Sequence, residues 1–263
     1  MAPTLTGASP VCLDSGRGIA DSLGVAAPSP YLKKPDRMHI DEALMKRRSA
    51  RAFRPDPVSR ETVEDILRIA ARAPSGTNIQ PWKIHVVAGE VRSRLEREVL
   101  AHRETRPPDE GAEFPRIGKR KEPYTSRMRK LGKDMYTLLG IPKGDQEASW
   151  RQWGRNYQFF DAPVGLIFTI DKDLDRMSYV DVGMFAMAIM LAAKARGLDT
   201  CAQGAWNNYW TVTRRVLNVP DDEYIIFGMS LGWADDSHPV NTLVADREPV
   251  EAFATFHGFE GED

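Results

Sequence analysis

Hydrophobic positions recur with helical spacing after Ser59. Val63, Ile66 and Ala70 lie on one face of such a helix. Ser59 is a favoured N-cap residue, and Pro74 marks the end of the pattern because proline cannot continue a helix. The pattern therefore predicts an amphipathic helix that packs one face against a core.

Other stretches show helical or strand-like patterns of the same kind. Further helices are predicted in a short segment from Ile40 and at 90–104, about 124–139, 147–160, 179–196 and near 207–217. Apolar or β-branched runs predict strands at 83–87, 164–170, 198–203 and 224–233. This alternation of helices and strands by itself favours a parallel α/β sheet.

Three regions lack a sustained period. Residues 1–37 are rich in proline and glycine and are interpreted as an N-terminal arm or a disordered leader, which leaves 38–263 as the folded domain. Residues 105–123 carry four prolines and are predicted to form a loop. The tail from 234 onward shows no strong period.

The segment 179–196 differs from the other predicted helices because it is apolar on nearly all sides. Val182, Phe185 and Ile189 are among its many apolar residues. A helix of this kind is buried, either at the centre of a domain or at a subunit interface. The pattern alone does not choose between the two.

Composition places the chain among ordinary globular proteins. Its 263 residues include 36 Lys and Arg against 37 Asp and Glu, and 42% are hydrophobic. The net charge of −1 gives no global attraction to nucleic acid or to an anionic membrane. Two cysteines do not make a disulfide framework, and no secretory signal pattern precedes the domain, so a cytoplasmic location is expected.

Several common catalytic motifs are absent from the sequence. The pair Gly16 and Gly18 is followed by Asp21 where a dinucleotide fingerprint has glycine, and the Gly-Lys pair at 118–119 is followed by Arg120 where a P-loop has Ser or Thr. The histidines lie at least 17 positions apart, and there is no Gly-x-Ser-x-Gly. No metal site and no serine nucleophile are expected.

Two segments carry a more specific signal. Residues 47–53 read Arg-Arg-Ser-Ala-Arg-Ala-Phe, and residues 73–82 read Ala-Pro-Ser-Gly-Thr-Asn-Ile-Gln-Pro-Trp. In this order they resemble the N-terminal half of the FMN-dependent nitroreductase family, which includes nitroarene and nitrobenzoate reductases. The similarity continues through 199–204, 228–232 and 247–250, and so extends over roughly residues 38–257.

The resemblance implies an α+β fold, in which a mixed, mainly antiparallel sheet lies in a three-layer α/β/α arrangement and a homodimer exchanges terminal segments. It also implies FMN as cofactor, NADH or NADPH as donor, and ping-pong hydride transfer that reduces nitroaromatic compounds to hydroxylamines. Reductive dehalogenation and quinone or aldehyde reduction are alternatives within the family. A polyanion-binding module that uses the basic cluster at 116–133 is a remote alternative.

By this resemblance, Arg47, Arg48, Ser49 and Arg247 bind the FMN phosphate. A phosphate is close to a dianion, and arginine offers a rigid fork of donors that matches its oxygens. Arg51 matches the cation beside the flavin ring, where a fixed positive charge stabilises the reduced state. The alternative is a solvated helix end, since cations at a helix C-terminus interact favourably with its dipole.

The loop after the first long helix is also assigned by resemblance. Pro74, Ser75, Gly76 and Asn78 match positions that reach flavin from the neighbouring subunit. The alternative is an ordinary turn, because Ser, Gly and Asn are common there.

A third group of assignments concerns the strand that ends near Gly204. Gln203 and Gly204 match the position where a backbone N–H faces flavin N5, and the alternative is simply a strand that ends in glycine. Cys201 is more typical of a small core residue than of a nucleophile. Ala245 stands where the family often has a lysine, so one phosphate-binding cation is missing.

Residues 103–160 are interpreted as a helical lid or insert. From 103 to 133 the chain carries ten basic and five acidic residues, and aromatic residues follow. Cations and aromatic rings suit a flat, electron-poor or anionic substrate, and Tyr124, Arg127 and Tyr136 are the candidate contacts. The alternative is a solvated basic helix whose other face packs on the core.

Overall fold

The computed structural model describes residues 38–105, 113 and 120–259. Within them lie four strands, β1 Lys83–Ala88, β2 Val164–Asp171, β3 Asp199–Gln203 and β4 Glu223–Gly232. The same residues form seven α-helices, α1 Ile40–Lys46, α2 Arg60–Ala70, α3 Gly89–Thr105, α4 Tyr124–Leu138, α5 Gln146–Gly154, α6 Arg176–Lys194 and α7 Trp210–Leu217. The predicted arm at 1–37 and most of the predicted loop at 105–123 lie outside the described residues.

The helix predicted after Ser59 is confirmed as α2. The Ser59 side chain accepts a hydrogen bond from the Thr62 N–H at 3.1 Å, which satisfies one of the free donors in the first turn. Val63, Ile66 and Ala70 are buried on one face, as their spacing predicts. A local pattern and its cap therefore define this element.

The four strands form an antiparallel sheet in the order β1-β2-β4-β3. The parallel sheet favoured by the alternation of elements is wrong, and the mainly antiparallel sheet implied by the family resemblance is confirmed. β2 and β3, which α6 connects, do run in the same direction, but β4 is inserted between them and runs against both. A single parallel bridge, between Ser49 and Thr200, adds the mixed character.

Helices cover both faces of the sheet and make three layers. On one face, α2 and α6 pack on Leu166 and Phe168 of β2, with Phe185 and Ile189 contributed by α6. On the other face, α3 and α7 enclose a second core that includes Ile167 of the same strand. Alternate residues of β2 thus enter opposite cores, which explains why this strand is buried almost throughout.

The segment predicted as one helix at 147–160 is instead divided. α5 ends at Gly154, and tight 3₁₀ turns follow over Arg155–Asp161, with positive φ at Phe159 and Phe160. Phe159 turns inward and stacks on Trp206, with the ring centroids 4.5 Å apart. Burial of these rings overrides the helical pattern, which is the physical reason for the difference.

Two glycines make room for this aromatic pair. A Cβ atom at Gly165 of β2 would overlap the Phe159 ring, and a Cβ at Gly228 of β4 would overlap Trp206. The main-chain oxygen of Phe160 then accepts a hydrogen bond from the Phe53 N–H at 3.1 Å. The aromatic pair therefore fixes the turn against which the segment 47–53 runs.

α6 presents one face to the core and one apolar face outward. Met177, Val180 and Met184 are 67%, 52% and 36% exposed and lie at i, i+3 and i+7. By length and composition alone this helix would be long and apolar enough to cross a membrane, but its inner face packs on α2 and the sheet. The prediction of burial is thus confirmed for one face.

Candidate functional site

The arginine-rich segment leaves α1 and runs in an extended conformation beside β3. α1 ends at Lys46, and Ser49 pairs in parallel with Thr200. The Ala50 N–H donates to the Thr200 carbonyl oxygen at 3.1 Å, and Ala50 is fully buried. The alternative interpretation of a solvated helix end is wrong for Arg48 and Arg51, because both lie beyond the helix in this extended chain.

A cavity of about 620 Å³ lies between this segment and the chain near residue 244. Five of its lining residues are basic, and among the described residues none that line it is Asp or Glu. The basic members are Lys46, Arg47, Arg48, Arg51 and Arg247. Its apolar members are Leu44, Met45, Leu131, Leu243, Val244 and Ala245. This lining is complementary to a molecule that carries an anionic group and an apolar ring system.

The arginines of the cavity keep donors available for an anion. The main-chain N–H of Arg47 donates to the Ala43 carbonyl oxygen at 2.9 Å, whereas its guanidinium makes no hydrogen bond or ion pair with the part of the chain that the structure describes. Arg48 donates to the Asn241 carbonyl oxygen at 2.9 Å and pairs with Asp236, but its buried Nε has no partner among the described atoms. Arg247 donates to the Ala245 carbonyl oxygen at 3.0 Å. A buried arginine donor without an acceptor is costly, so an anion here would be stabilising.

Asn241 holds this segment in place. Its Oδ1 accepts from the Arg51 N–H at 2.8 Å, and its Nδ2 donates to the carbonyl oxygens of Ala52 and Asp235, each at 2.8 Å. The residue is only 3% exposed. Sequence reasoning missed it because its partner Arg51 is 190 positions away and no local period marks the tail.

Arg51 lies where three cavities meet. Besides the large cavity, it lines one of about 200 Å³ between α4 and α5 and one of about 370 Å³ near His238. Its Nη1 donates to the Ser49 carbonyl oxygen at 3.1 Å. A cation at this junction is positioned to act on molecules in more than one cavity.

Of the three predicted substrate residues, the structure brings one to these cavities. Tyr136 lines the 200 Å³ cavity. Tyr124 and Arg127 line none of the three cavities. Tyr124 is 55% exposed, and Arg127 forms an ion pair with Glu248 at 2.8 Å. Met128, Leu131 and Met135, which sequence reasoning missed, line it instead. Their i, i+3, i+7 spacing on α4 was the available signal.

Gln203 connects the sheet to the turn that follows α5. Its Nε2 donates to the Asn156 carbonyl oxygen at 2.7 Å, and its Oε1 accepts from Ser230 Oγ at 3.0 Å. The side chain is therefore occupied within the fold, and Gly204 follows at the exposed strand end. Neither residue lines the three cavities, so contact between their backbone and a cofactor stays a prediction.

Cys201 is buried in β3 beneath the arginine-rich segment. Burial raises the pKa of its thiol, although the positive charge of Arg51 acts in the opposite direction. The thiol thus stays protonated at neutral pH and is a poor nucleophile. This environment favours the interpretation of Cys201 as a core residue.

The predicted cofactor loop Pro74, Ser75, Gly76 and Asn78 does not reach the cavities of its own chain. Ser75 Oγ accepts from the Gln80 N–H at 3.0 Å. The Gly76 N–H donates to Asp181 Oδ2 at 3.1 Å, which attaches the loop to α6. The structure therefore separates this loop from the arginine cluster, which is defined here as Arg47, Arg48, Arg51 and Arg247. It places the loop beside α6, whose outer face is apolar.

The sequence is similar to a family profile and to reductases of nitroaromatic compounds. The nitroreductase family profile matches residues 44–233. The nitrobenzene nitroreductase of Ectopseudomonas oleovorans is 43% identical over 218 residues, which cover 82% of this chain and 96% of that protein. The 4-nitrobenzoate reductase of Pseudomonas putida is 41% identical over 222 residues, 84% of this chain and 96% of that protein.

Solved structures agree with the sequence comparison. An FMN- and NADPH-dependent nitroreductase, NfnB, from sphigopyxis sp. strain HMH superposes with a TM-score of 0.80 at 32% identity, covering 84% of this chain and all of that one. The FMN-dependent NfnB of Mycobacterium smegmatis, solved in complex with NADPH, gives a TM-score of 0.77 at 30% identity over 82% of this chain and 97% of that one.

Proposed function

The chain belongs to the nitroreductase family, and we propose that it is an FMN-dependent enzyme that reduces nitroaromatic compounds with NADH or NADPH as the electron donor. The observation that carries this proposal is the 620 Å³ cavity, which combines five basic residues with an apolar wall and has no carboxylate among its described lining. Relatives that bind FMN and reduce nitroaromatic compounds supply the identity of the ligand.

The residues of the cavity fit FMN. Arg47, Arg48, Ser49 and Arg247 hold the phosphate in this proposal, because guanidinium donors without acceptors match its oxygens. The apolar wall then suits the flavin ring. Lys46 also lines the cavity, where it is paired with Glu42 at 2.5 Å.

When bound, FMN would carry two electrons at a time from the donor to the acceptor. In the overall reaction, two NAD(P)H and two protons convert a nitro group to a hydroxylamine and release one water. With FMN bound, the guanidinium of Arg51 would stabilise negative charge on the flavin ring. Leu131 and the α4–α5 insert restrict water at the same place.

The test is the visible absorption of the purified protein before and after anaerobic addition of NADH and of NADPH. We expect flavin bands that disappear with at least one donor and return when nitrobenzene is added. Arg47→Ala should weaken FMN binding by roughly tenfold or more, as expected for loss of a charge-assisted hydrogen bond. Arg60→Ala, which changes a 91% exposed arginine on α2, is the matched control. A colourless protein that does not take up added FMN would overturn the proposal.

We also propose a homodimer in which the outer faces of two α6 helices meet. The exposed Met177, Val180 and Met184 form an apolar stripe of the kind that marks protein interfaces. The hydrogen bond from Gly76 to Asp181 puts the 74–78 loop beside this stripe. From there the loop reaches the arginine cluster of the partner, so one cofactor site uses both chains.

Met184→Glu tests the dimer. It should produce monomers in sedimentation and weaken FMN binding by roughly tenfold or more, because the loop from the second chain is lost. Val91→Glu introduces the same negative charge at a 52% exposed position on α3 and should leave the dimer intact. A Met184→Glu protein that sediments as a dimer would contradict the arrangement.

The exchange of terminal segments belongs to the same proposal. Phe253, Phe256 and Phe259 are 72%, 65% and 78% exposed, so the tail presents aromatic side chains that its own chain does not cover. β1 is an edge strand, and an apolar cavity of about 450 Å³ lies between it and α2. Docking of the tail of one chain on its partner would cover the tail aromatic residues together with the edge strand β1 or the cavity beside it. Deletion of residues 250–263 should therefore weaken the dimer, measured by its dissociation on dilution.

We assign the enzyme to the cytoplasm, because its proposed donors NADH and NADPH are intracellular. Fractionation of the producing cells tests this assignment.

A further inference from the structure

The smaller cavity beside Arg51 has the size of a single-ring ligand. It lies between α4 and α5 and measures about 200 Å³. Drug-sized ligands occupy pockets of roughly 300–1,000 Å³, so this one is small. Its apolar walls are Met128, Leu131, Met135, Trp153 and Phe160. Thioether and aromatic side chains of this kind suit a flat ring.

The cavity contains little charge. Of its described lining residues, only Arg51 is ionised, and the proposed function assigns this side chain to the cofactor. α4 carries four cations, none of which lines the cavity: Arg129 and Lys133 are exposed, and the other two are paired with acids of the tail. Arg127 pairs with Glu248 and Lys130 with Asp246, each at 2.8 Å. An acceptor carboxylate would therefore lose its hydration and compete with the cofactor for Arg51, the one cation among the described lining residues, which is unfavourable.

Gln152 supplies a neutral donor at this position. It lines both the 200 Å³ and the 370 Å³ cavity, and its carboxamide makes no hydrogen bond with the described residues. The turn that follows α5 is held by the bond from Gln203 to the Asn156 carbonyl oxygen, so Gln152 projects from a helix that is fixed at its C-terminal side. A carboxamide N–H is matched to a nitro oxygen, which is a neutral acceptor.

We propose that this cavity is the acceptor site, that Gln152 donates to the nitro oxygen, and that the site selects uncharged single-ring nitroaromatic compounds over carboxylated ones. This inference rests on the proposed function. It distinguishes between the acceptors named for the relatives, since nitrobenzene is neutral and 4-nitrobenzoate is an anion.

The experiment compares kcat/KM for nitrobenzene and 4-nitrobenzoate with the FMN-loaded enzyme. We expect the wild type to favour nitrobenzene by about tenfold or more, the cost of an unpaired charge. Gln152→Arg should raise the ratio of 4-nitrobenzoate to nitrobenzene by roughly tenfold or more, because it adds a cation to the cavity. Gln146→Arg makes the same change at an exposed position on α5 outside the cavity and should leave the ratio unchanged.

The outcomes separate this inference from the proposed function. Equal or greater kcat/KM for 4-nitrobenzoate in the wild type would overturn the inference while nitroaromatic reduction itself still holds. A ratio that rises equally in both arginine variants would also overturn it, because the effect would then be one of net charge. Loss of turnover with every nitroaromatic compound, FMN still bound, would instead refute the proposed function.

Discussion

Replacement of Asn241 by alanine tests how the arginine-rich segment is held. Its side chain makes three hydrogen bonds of 2.8 Å to the backbone of Arg51, Ala52 and Asp235. At about 1–1.5 kcal/mol for each bond, Asn241→Ala should lower the free energy of unfolding by roughly 3–5 kcal/mol. This is a large part of the 5–15 kcal/mol typical of a folded protein, so the effect is easily measured.

Urea unfolding at one fixed protein concentration is the assay, since a dimer couples stability to concentration. The midpoint should fall while the slope m is unchanged. Asn241→Asp should also destabilise, because its second carboxylate oxygen would face the carbonyl oxygens of Ala52 and Asp235. Ser237→Ala in the same loop removes one exposed hydrogen bond and is the control, expected within about 0.5 kcal/mol of wild type.

Loss of the Asn241 side chain should also weaken cofactor binding. With Asn241→Ala, FMN should bind more weakly even under conditions where the protein is folded, because the backbone of Arg51 depends on the Asn241 side chain for its position. An Asn241→Ala protein whose unfolding midpoint and FMN affinity match those of Ser237→Ala would show that Asn241 does not hold the segment.

Four further predictions concern the fold and the buried thiol. Gly228→Ala should lower the thermal unfolding temperature, at a cost of about 1–3 kcal/mol for overlap with Trp206, whereas Gly132→Ala on α4, where a Cβ meets no atom within 4 Å, should not lower it. Ser59→Ala should cost about 1 kcal/mol in urea unfolding through loss of the α2 cap, and an unchanged midpoint would contradict the cap. Because burial raises the pKa of the Cys201 thiol, iodoacetamide should label it far more slowly at pH 8 in the folded than in the unfolded protein. Cys201→Ala should retain nitroaromatic reduction, and its loss with FMN still bound would revive a role for the thiol.

Much of the secondary structure was accessible from local patterns. The face formed by Val63, Ile66 and Ala70 and the cap at Ser59 define α2 without further information. The apolar character of α6 predicted its burial, and the structure shows that one face is buried while another is exposed. The break after Gly154 was not predictable, because the burial of Phe159 against Trp206 decides it.

The site was predictable only in part. Resemblance to the family identified Arg47, Arg48, Ser49, Arg51 and Arg247, and the structure brings these five to one cavity. Sequence patterns did not indicate the apolar stripe of α4 or the role of the Gln152 amide. They also did not indicate that Arg127 and Lys130 of α4 pair with acids of the tail. Each of them depends on which elements become neighbours after folding.

By itself, the sequence determined where most helices and strands form and which short motifs align with a family of known chemistry, since side-chain periodicity and caps act within a few residues. Tertiary structure decided the direction of the strands, because β4 inserts between β2 and β3 although it follows both in the chain. It also decided the positioning of Arg51 by Asn241, across 190 residues of chain. Contacts of this range leave no local pattern, because the energy that fixes them arises only when distant segments are packed together.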